Sequence, residues 1–488
     1  MSAGHNHVVH VAPIHRLPFE TLVHIFILVS INRCHKVDFV DGHPPGNPPQ
    51  YPDCLAHVCS RWRQIALSSP YLWTHVDLDP RLSSREGLVN RTYNYTQRAS
   101  MLPLDVHIDD KGCVEENSYI LEAAFSHVAS RTRSLNFIIT APELLHFHRS
   151  VFDSMVPILS PKLFNTLYMS CDVSLPDPFF AGRNSDPWIT HNSDDLDECP
   201  NILRWESIAI DGSLSGVSNL HLQGVYFNWS SQLYHGLVDL RLTSPPVGKA
   251  ADIDVYALRS ILSNCPGLRI FHFSLELVTY DDPGYEYLYK DSSDPVCLPD
   301  LEVIYVSTAR AYYGKYPSFN AGALLRLLAP GSKPLRLTIE TGHDRNEPLF
   351  NSDGMREFCA RSRVERLCVR NAYPSLDELR LCHLPDLKVL VFDSCRNIST
   401  QADPKSTFTL DSCFIHAAKL DLNQLPSLLG LCPTGLMFSM CDIRDEPMGQ
   451  ESGRVIPEAE LRAAFPTVQF LKDENLWHDP TASWDIVD

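Results

Sequence analysis

Apolar residues recur at helical spacing in two segments near the start of the chain. In residues 14–29 the apolar side chains fall on one helical face, and a proline stands near the beginning. Residues 55–70 repeat this spacing and end at a proline. The pattern predicts two amphipathic helices. The proline-rich residues 41–52 between them predict a surface loop, because proline cannot sustain a helix or a central strand.

A different pattern, apolar-x-x-Leu-x-Leu and its variants, recurs through the remaining chain. Its clearest copies begin at Val217, Leu237, Leu268, Leu301, Val364 and Leu387. A weaker copy surrounds Leu335, and the middle positions Leu240, Phe271, Ile304, Leu335 and Leu367 are about 31, 33, 31 and 32 residues apart. Helical patterns lie between the copies, at residues 254–263, 321–328, 376–382 and 424–431. Each repeat is therefore predicted to contain a strand and a helix. The alternative is a mixed α/β fold in which the pattern marks ordinary buried strands.

The two N-terminal segments together resemble the F-box, in the form common in fungal F-box-like proteins. The matching residues are Leu17, Pro18, Glu20, Leu22, Ile25 and Phe26, then Val58, Cys59, Arg61, Trp62, Arg63, Ile65, Ala66, Pro70, Leu72 and Trp73. The resemblance covers about sixty residues. One departure is the loop at residues 31–53, which separates the two halves more widely than in a compact F-box.

This resemblance implies that the segment binds the Skp adaptor of a Skp/cullin/F-box ubiquitin ligase. The implied adaptor-binding residues are Leu17, Pro18, Glu20, Leu22, Ile25, Phe26, Val58 and Arg61. The implied structural core consists of Cys59, Trp62, Ile65, Leu72 and Trp73. The alternative for the apolar residues near Leu17 is that they pack against the rest of the chain.

The later pattern resembles a leucine-rich-repeat solenoid, which often follows an F-box. The resulting expectation is an α/β fold with an N-terminal F-box-like helical bundle and a curved leucine-rich-repeat-like solenoid. We expect a flexible terminus at 1–13, the F-box-like domain at 14–80, a junction with a first atypical repeat at 81–130, the repeats at 131–440, and an acidic cap or tail at 441–488. Within the junction, residues 85–100 and 117–130 predict helices and residues 104–108 a strand.

The net charge of −18 argues against a nucleic-acid-binding protein, because neutralising phosphates requires a cationic surface. Three acidic stretches, at 177–200, 281–302 and 441–488, account for this excess. If the first two project from one edge of the repeats, we expect the target to carry a basic patch. The 36 prolines outnumber the 22 glycines. Part of the proline excess lies in the N-terminal loop, and part recurs where repeat helices end.

The chain is expected to be intracellular, in the cytoplasm or the nucleus. Its first ten residues lack a basic start followed by an apolar run. The longest apolar stretch, at 22–31, is far shorter than the about 20 residues that cross a bilayer. The 15 cysteines are an odd number in apolar contexts, which favours reduced core thiols. We therefore expect no membrane association.

Catalytic motifs are weak. Residues 212–216 resemble a nucleophile elbow, but Leu214 stands where serine is required. Cys54, His57 and Cys59 could ligate zinc, but no fourth ligand is apparent and structural use is expected. The prediction is a non-catalytic substrate receptor without a cofactor or metal, which joins the Skp adaptor and the cullin ligase complex to an unidentified target protein. The alternatives are an adaptor-independent leucine-rich-repeat interaction scaffold and, third, an enzyme such as a hydrolase.

Overall fold

A computed structural model gives the fold of most of the chain. It describes residues 13–30, 52–79, 85–111, 124–125, 127–182, 202–248, 251–278, 294–307, 321–341, 352–372, 374, 376, 384–395, 398, 409–445, 453–471 and 480–486. The chain forms two compact units. Unit 1 comprises Met1–Tyr168 and Gly182–Gly216, and unit 2 comprises Met169–Ala181 and Val217–Asp488. The expected boundaries after residues 80 and 130 fall inside unit 1, and the one after residue 440 falls inside unit 2.

The elements up to Leu214 are mostly short. The helices are α1 (Phe19–Ser30), α2 (Asp53–Val58), α3 (Ser60–Leu67), α4 (Arg85–Arg98), α5 (His146–Met155) and α6 (Ser207–Leu214). The strands are β1 (His75–Leu78), β2 (Leu104–Asp109), β3 (Thr132–Ile139), β4 (Thr166–Cys171), β5 (Phe179–Gly182) and β6 (Ile202–Leu203). Single 3-10 turns lie at Pro13–Arg16, Pro70–Trp73 and Ala129–Arg131.

The elements after Leu214 contain more strand than helix. The strands are β7 (Asn219–Gln223), β8 (Tyr226–Phe227), β9 (Asp239–Thr243), β10 (Asp252–Asp254), β11 (Ile270–Phe273), β12 (Glu276–Val278), β13 (Val296–Leu298), β14 (Val303–Ser307), β15 (Leu328–Pro330), β16 (Leu335–Glu340), β17 (Val364–Arg370), β18 (Val389–Asp393), β19 (Ser412–His416), β20 (Lys419–Asp421), β21 (Leu436–Ser439), β22 (Asp442–Arg444) and β23 (Gln469–Leu471). The helices are α7 (Val255–Ser263), α8 (Ala321–Arg326), α9 (Asp353–Arg361), α10 (Leu425–Leu431) and α11 (Glu458–Ala464), with 3-10 turns at Gln232–Tyr234 and Leu422–Gln424.

A 14-stranded sheet dominates the fold. Its order is β1-β2-β3-β4-β7-β9-β11-β14-β16-β17-β18-β19-β21-β23, so its strands follow one another in chain order. The strands pair in parallel. Two-stranded parallel sheets join β10 to β12, β13 to β15 and β20 to β22. Among the described residues, no helix has both the length and the apolar character needed to cross a membrane.

The apolar pattern explains the buried side of this sheet in unit 2. Successive side chains of a strand point to opposite faces, so residues two apart share a face. Leu240 aligns with Phe271, Ile304 and Leu337 in the sheet, and all four are buried. The strand prediction is confirmed at all six template copies, which contain β7, β9, β11, β14, β17 and β18. The intervening residues, such as Arg241, lie on the opposite face.

The expected helical bundle followed by a solenoid is wrong. The fold is mixed α/β, built on the 14-stranded parallel sheet with few short helices. This was the alternative interpretation, in which the pattern marks buried strands. The helices described between sheet strands contain only six to fourteen residues, too little regular helix for the expected repeat of strand plus helix.

The N-terminal helices do not form a separate bundle either, because they share unit 1 with the first strands. With 12, 6 and 8 residues, α1, α2 and α3 cannot enclose a core of their own. The ring of Trp73 instead packs edge-on against Tyr95 of α4, with 5.0 Å between ring centroids. The Tyr95 hydroxyl donates to Asp53 of α2 at 2.7 Å. These contacts fasten the short helices to the element that follows them.

The helix predicted at 14–29 begins at Phe19, and the single helix predicted at 55–70 is divided into α2 and α3 by the extended backbone of Cys59. The later helix predictions are confirmed where the structure describes them. The segment predicted at 254–263 is α7, the one at 321–328 ends two residues early in α8, and the one at 424–431 is α10. In the junction, α4 and β2 match the predicted helix and strand. The predictions for 117–130 and 376–382, and the loop at 31–51, lie wholly or largely outside the described residues.

Candidate partner-binding surfaces

The two halves of the F-box-like sequence do lie together in the fold. The Arg61 guanidinium donates to the backbone carbonyl of Leu17 at 2.7 Å. The Phe26 ring packs against Trp62 with a centroid distance of 4.8 Å. Since α1 and α3 are separated by more than twenty residues of chain, these contacts fix the position of the Leu17-Pro18 turn relative to α3.

The implied adaptor-binding residues divide by exposure. Pro18, Glu20 and Val58 are exposed, and Leu17, Ile25 and Arg61 are half-buried. Leu22 and Phe26 are buried, at 0% and 1% exposure. The assignment of these last two to an adaptor contact is therefore corrected: they fill the interior between α1 and the helices packed on it, and their side chains are not accessible to a partner.

The implied structural residues lie mostly in the interior. Ile65, Leu72 and Trp73 are buried, and the Trp73 indole donates to the carbonyl of Ala66 at 2.8 Å. Cys59 and Trp62 are half-buried. The Cys59 thiol accepts from the backbone N–H of Trp62 at 3.5 Å and so caps α3.

The capping role of Cys59 supports a structural use of Cys54, His57 and Cys59, the three possible zinc ligands. Cys59 is engaged at the start of α3, while Cys54 and His57 are exposed on α2. In the part of the chain that the structure describes, the side chains close enough together to hold a metal ion are His75, Asp77 and His107.

This His-Asp-His group ties β1 to β2. One Asp77 carboxylate oxygen lies 2.8 Å from His75 Nε2 and 3.2 Å from His107 Nδ1. Burial alone would raise the pKa of Asp77, but its hydrogen bonds to His107 and His75 outweigh that effect and lower the pKa well below its usual range. Asp77 aligns with His107 in the parallel register. Sequence reasoning missed this group because the two histidines are 32 residues apart and only strand pairing brings them together.

A row of side chains crosses the unit 2 sheet on the face opposite the apolar core. In register, the row is His221, Arg241, His272, Tyr305, Thr338, Cys368, Val391 and Phe414. Most of these side chains are half-buried, but Thr338, Cys368 and Val391 are buried. The row changes from polar at β7 to apolar at β19, so this face offers charged contacts at one side and an apolar contact at the other.

The C-terminal residues 480–486 cover this face and explain the burial of its centre. Trp484 is only 2% exposed and packs against Cys368 and Val391, with Val389 and Phe414 at the edge of the contact. One Arg336 nitrogen donates to two backbone carbonyls of the segment, those of Trp484 and Ile486, each at 2.7 Å.

Polar contacts flank the tryptophan. The Arg370 guanidinium donates to the Thr481 hydroxyl at 2.8 Å. The Asp485 carboxylate lies 2.8 Å from Arg241 Nη1 and 3.2 Å from His272 Nε2. Burial alone would raise the pKa of Asp485, but His272 and Arg241 lower it well below its usual range. Burial also lowers the pKa of His272, so Arg241 supplies the positive charge near neutral pH.

We call this surface the sheet-face site and define it by Arg241, His272, Arg336, Cys368, Arg370 and Val391. A pocket of about 380 Å³ lies beside it, lined in part by Tyr305, Ser307 and Glu340. The Tyr305 ring is 5.2 Å from that of His272 and adjoins the site. Ser307 and Glu340 are the last residues of β14 and β16, so the pocket lies at the carboxyl ends of the strands. The Tyr305 hydroxyl donates to Glu340.

Sequence reasoning assigned the C-terminal acidic residues to a cap or tail and did not find this site. The alternation within β9 and β11 showed that Arg241 and His272 face away from the core, which was the available signal. The segment that covers them lies more than two hundred residues later. A scan against protein-family models finds no match, and a search of curated proteins finds no significant relative.

Proposed function

We propose that the chain is a non-catalytic substrate receptor of a Skp/cullin/F-box ubiquitin ligase. Its N-terminal helices would bind the Skp adaptor, and the face of its sheet would bind the target protein. The observation that carries the proposal is the hydrogen bond from Arg61 to Leu17. It joins the two F-box-like segments, which resemble an adaptor-binding unit only as a pair.

Exposed apolar side chains close in sequence to Leu17 and Arg61 are available to an adaptor. Pro18 is exposed, and the side chains of Phe19 and Val58 are 44% and 58% exposed. Removing apolar surface from water contributes about 25 cal/mol per Å² to association. Leu17 before α1 and Ile25 on α1 are half-buried and can add to this contact. Leu22 and Phe26 are buried on the inner side of α1.

A receptor of this kind needs no catalytic side chain. Binding adaptor and target to one chain raises the effective concentration of a target lysine near the ubiquitin-conjugating enzyme. The sheet-face site is suited to binding a target, because it already holds a segment of the chain through backbone, aromatic and charged contacts.

The test is binding of the purified full-length chain to a purified Skp adaptor. We expect a saturable one-to-one complex, and we expect Val58→Asp to weaken it by at least about tenfold because a charge would be buried at the contact. Val455→Asp is the matched control, since Val455 is a similarly exposed valine (52%) in unit 2. An adaptor that does not bind, or that binds both variants like the wild type, contradicts the proposal.

One observation favours a second candidate, an adaptor-independent protein-interaction scaffold. The N-terminal helices share a compact unit with the first strands, and residues 1–80 include β1, which pairs with β2 along its whole length. In this case the helices serve to cover the end of the sheet. The scaffold hypothesis predicts no adaptor binding and a loss of cooperative thermal unfolding when residues 1–80 are deleted.

A further inference from the structure

We propose that the sheet-face site binds, in trans, a turn-forming peptide with a tryptophan followed directly by an acidic residue. Residues 480–486 of the chain, with the sequence PTASWDI, are its intramolecular occupant. The identification of that peptide as part of a ligase target rests on the proposed function. The peptide-binding site itself rests on the contacts of the C-terminal segment.

Arg336 provides recognition that does not depend on the peptide sequence. Its guanidinium donates to the backbone carbonyls of Trp484 and Ile486, which are two residues apart. Every peptide carries such carbonyls. In this segment the backbone forms turns, in which the Trp484 amide donates to the Thr481 carbonyl at 2.8 Å and the Ile486 amide to the Ser483 carbonyl at 3.2 Å. A peptide from another protein that adopts the same turns can therefore make the same two hydrogen bonds with Arg336.

The apolar side of the site selects a large aromatic residue. Trp484 is 2% exposed and packs on Cys368 and Val391 of β17 and β18. Buried tryptophans that fill a fitted contact are frequent hot spots of binding energy. The contact is formed by the buried row positions of neighbouring strands, so the sheet backbone holds it in place.

The polar side of the site selects an acid next to that tryptophan. Arg241 and His272 approach the two carboxylate oxygens of Asp485 from neighbouring strands. Arg241 is itself held by Asp239, at 3.0 Å, so its guanidinium is oriented before a ligand binds. An asparagine or a basic residue at this position would leave the charge of Arg241 less well compensated.

A pocket adjoins the site at Tyr305 and lies at the carboxyl ends of the strands, where Thr243, Ser307 and Glu340 line it. A target segment longer than PTASWDI can extend into it and gain contacts there. Such contacts give a target in trans a means of competing with an occupant that is tethered to the chain.

The test measures fluorescence anisotropy of a labelled peptide PTASWDI with full-length proteins. We expect Trp484→Ala, which vacates the site, to bind the peptide at least about tenfold more tightly than wild type, because the intramolecular segment no longer competes. Adding Arg336→Ala to that variant should weaken binding by at least about tenfold. Adding Arg454→Ala, an exposed arginine paired with Glu460, should not change it.

Further arms separate specific recognition at this site from nonspecific peptide binding. Asp485→Asn removes only the charge of a more exposed side chain and should also increase peptide binding, so the test does not depend on the folding of Trp484→Ala. A peptide with alanine in place of tryptophan should not bind. Equal binding of a scrambled peptide, equal binding to the Arg336→Ala variant, or no saturable binding to folded vacated variants overturns the inference. Adaptor binding by the same proteins is measured separately, so its failure contradicts the proposed function alone.

Discussion

At the scale of single residues, the buried aspartate Asp239 on the sheet is paired with basic side chains. Asp239 is 8% exposed, and its carboxylate lies 2.9 Å from His221 and 3.0 Å from Arg241. Burial alone would raise its pKa, but contacts with His221 and Arg241 outweigh that effect and lower the pKa to about 2. The ionised form of Asp239 therefore stabilises the folded state.

The sign of the pH dependence follows from this lowered pKa. The stabilisation is present above the ordinary value for aspartate and is lost as the pH falls from about 4 to about 2, because the unfolded chain binds the proton more readily. We expect this group to account for a loss of about 2 kcal/mol in the free energy of unfolding over that range. Asp239→Asn should remove this part of the acid dependence in urea unfolding at several pH values. A wild-type slope retained in the variant would contradict the pairing, and Asp386→Asn, at an exposed position, is the control.

The burial of a side chain could be predicted from the sequence only where the pattern of neighbouring residues indicates which face of the element is buried. The alternation around Leu240 showed which side chains enter the core, and the core residues Trp73 and Ile65 were correctly expected to be buried. The burial of Leu22 was not predictable from the helix pattern. An apolar helical face serves equally well for a partner and for the chain's own interior, and only packing distinguishes the two.

At the scale of elements, the approach of α8 to α9 depends on two glycines. A Cβ placed on Gly354 of α9 would lie 2.3 Å from the carbonyl oxygen of Gly322 in α8. Such a distance requires the helices to move apart. In contrast, a Cβ on Gly430 of α10 would meet nothing within 4 Å.

We therefore predict opposite effects of two identical substitutions. Gly354→Ala should lower the free energy of unfolding by about 1–3 kcal/mol through overpacking. Gly430→Ala should raise it by roughly 0.5–1 kcal/mol, because alanine favours the helix over the unfolded chain. Urea unfolding of both variants measures the difference. Equal stabilities for the two would show that α8 and α9 do not pack as closely as the structure describes.

Elements with a clear period were predictable, and their assembly was not. The patterns at 217–222 and 237–242 gave β7 and β9, and the pattern at 254–263 gave α7 within one residue. The same spacing is compatible with strands in any layered α/β arrangement. The prediction of a solenoid required regular helices in every repeat, which the short helices do not supply. Contacts such as Tyr95 with Asp53 join elements far apart in sequence and leave no periodic signal.

At the scale of the whole molecule, the distribution of charge bears on the choice of partner. The net charge of −18 suggested a basic target surface. The acidic stretches at 177–200 and 281–302, on which that expectation rested, lie largely outside the described residues. In the third stretch, Asp485 is already paired with Arg241 and close to His272. Arg241 thus accepts a second acidic partner besides Asp239, which favours an acidic residue in the ligand peptide at this position.

Hydrogen–deuterium exchange of the full-length chain, with and without a purified Skp adaptor, tests the central claim most directly. If the chain is an adaptor-bound receptor, the adaptor should slow amide exchange in residues 14–30 and 52–67. Amide exchange in strands β16–β18, which form part of the sheet-face site, should stay unchanged. The Val58→Asp variant should lose this protection. Unchanged exchange in both N-terminal segments at saturating adaptor would contradict the account.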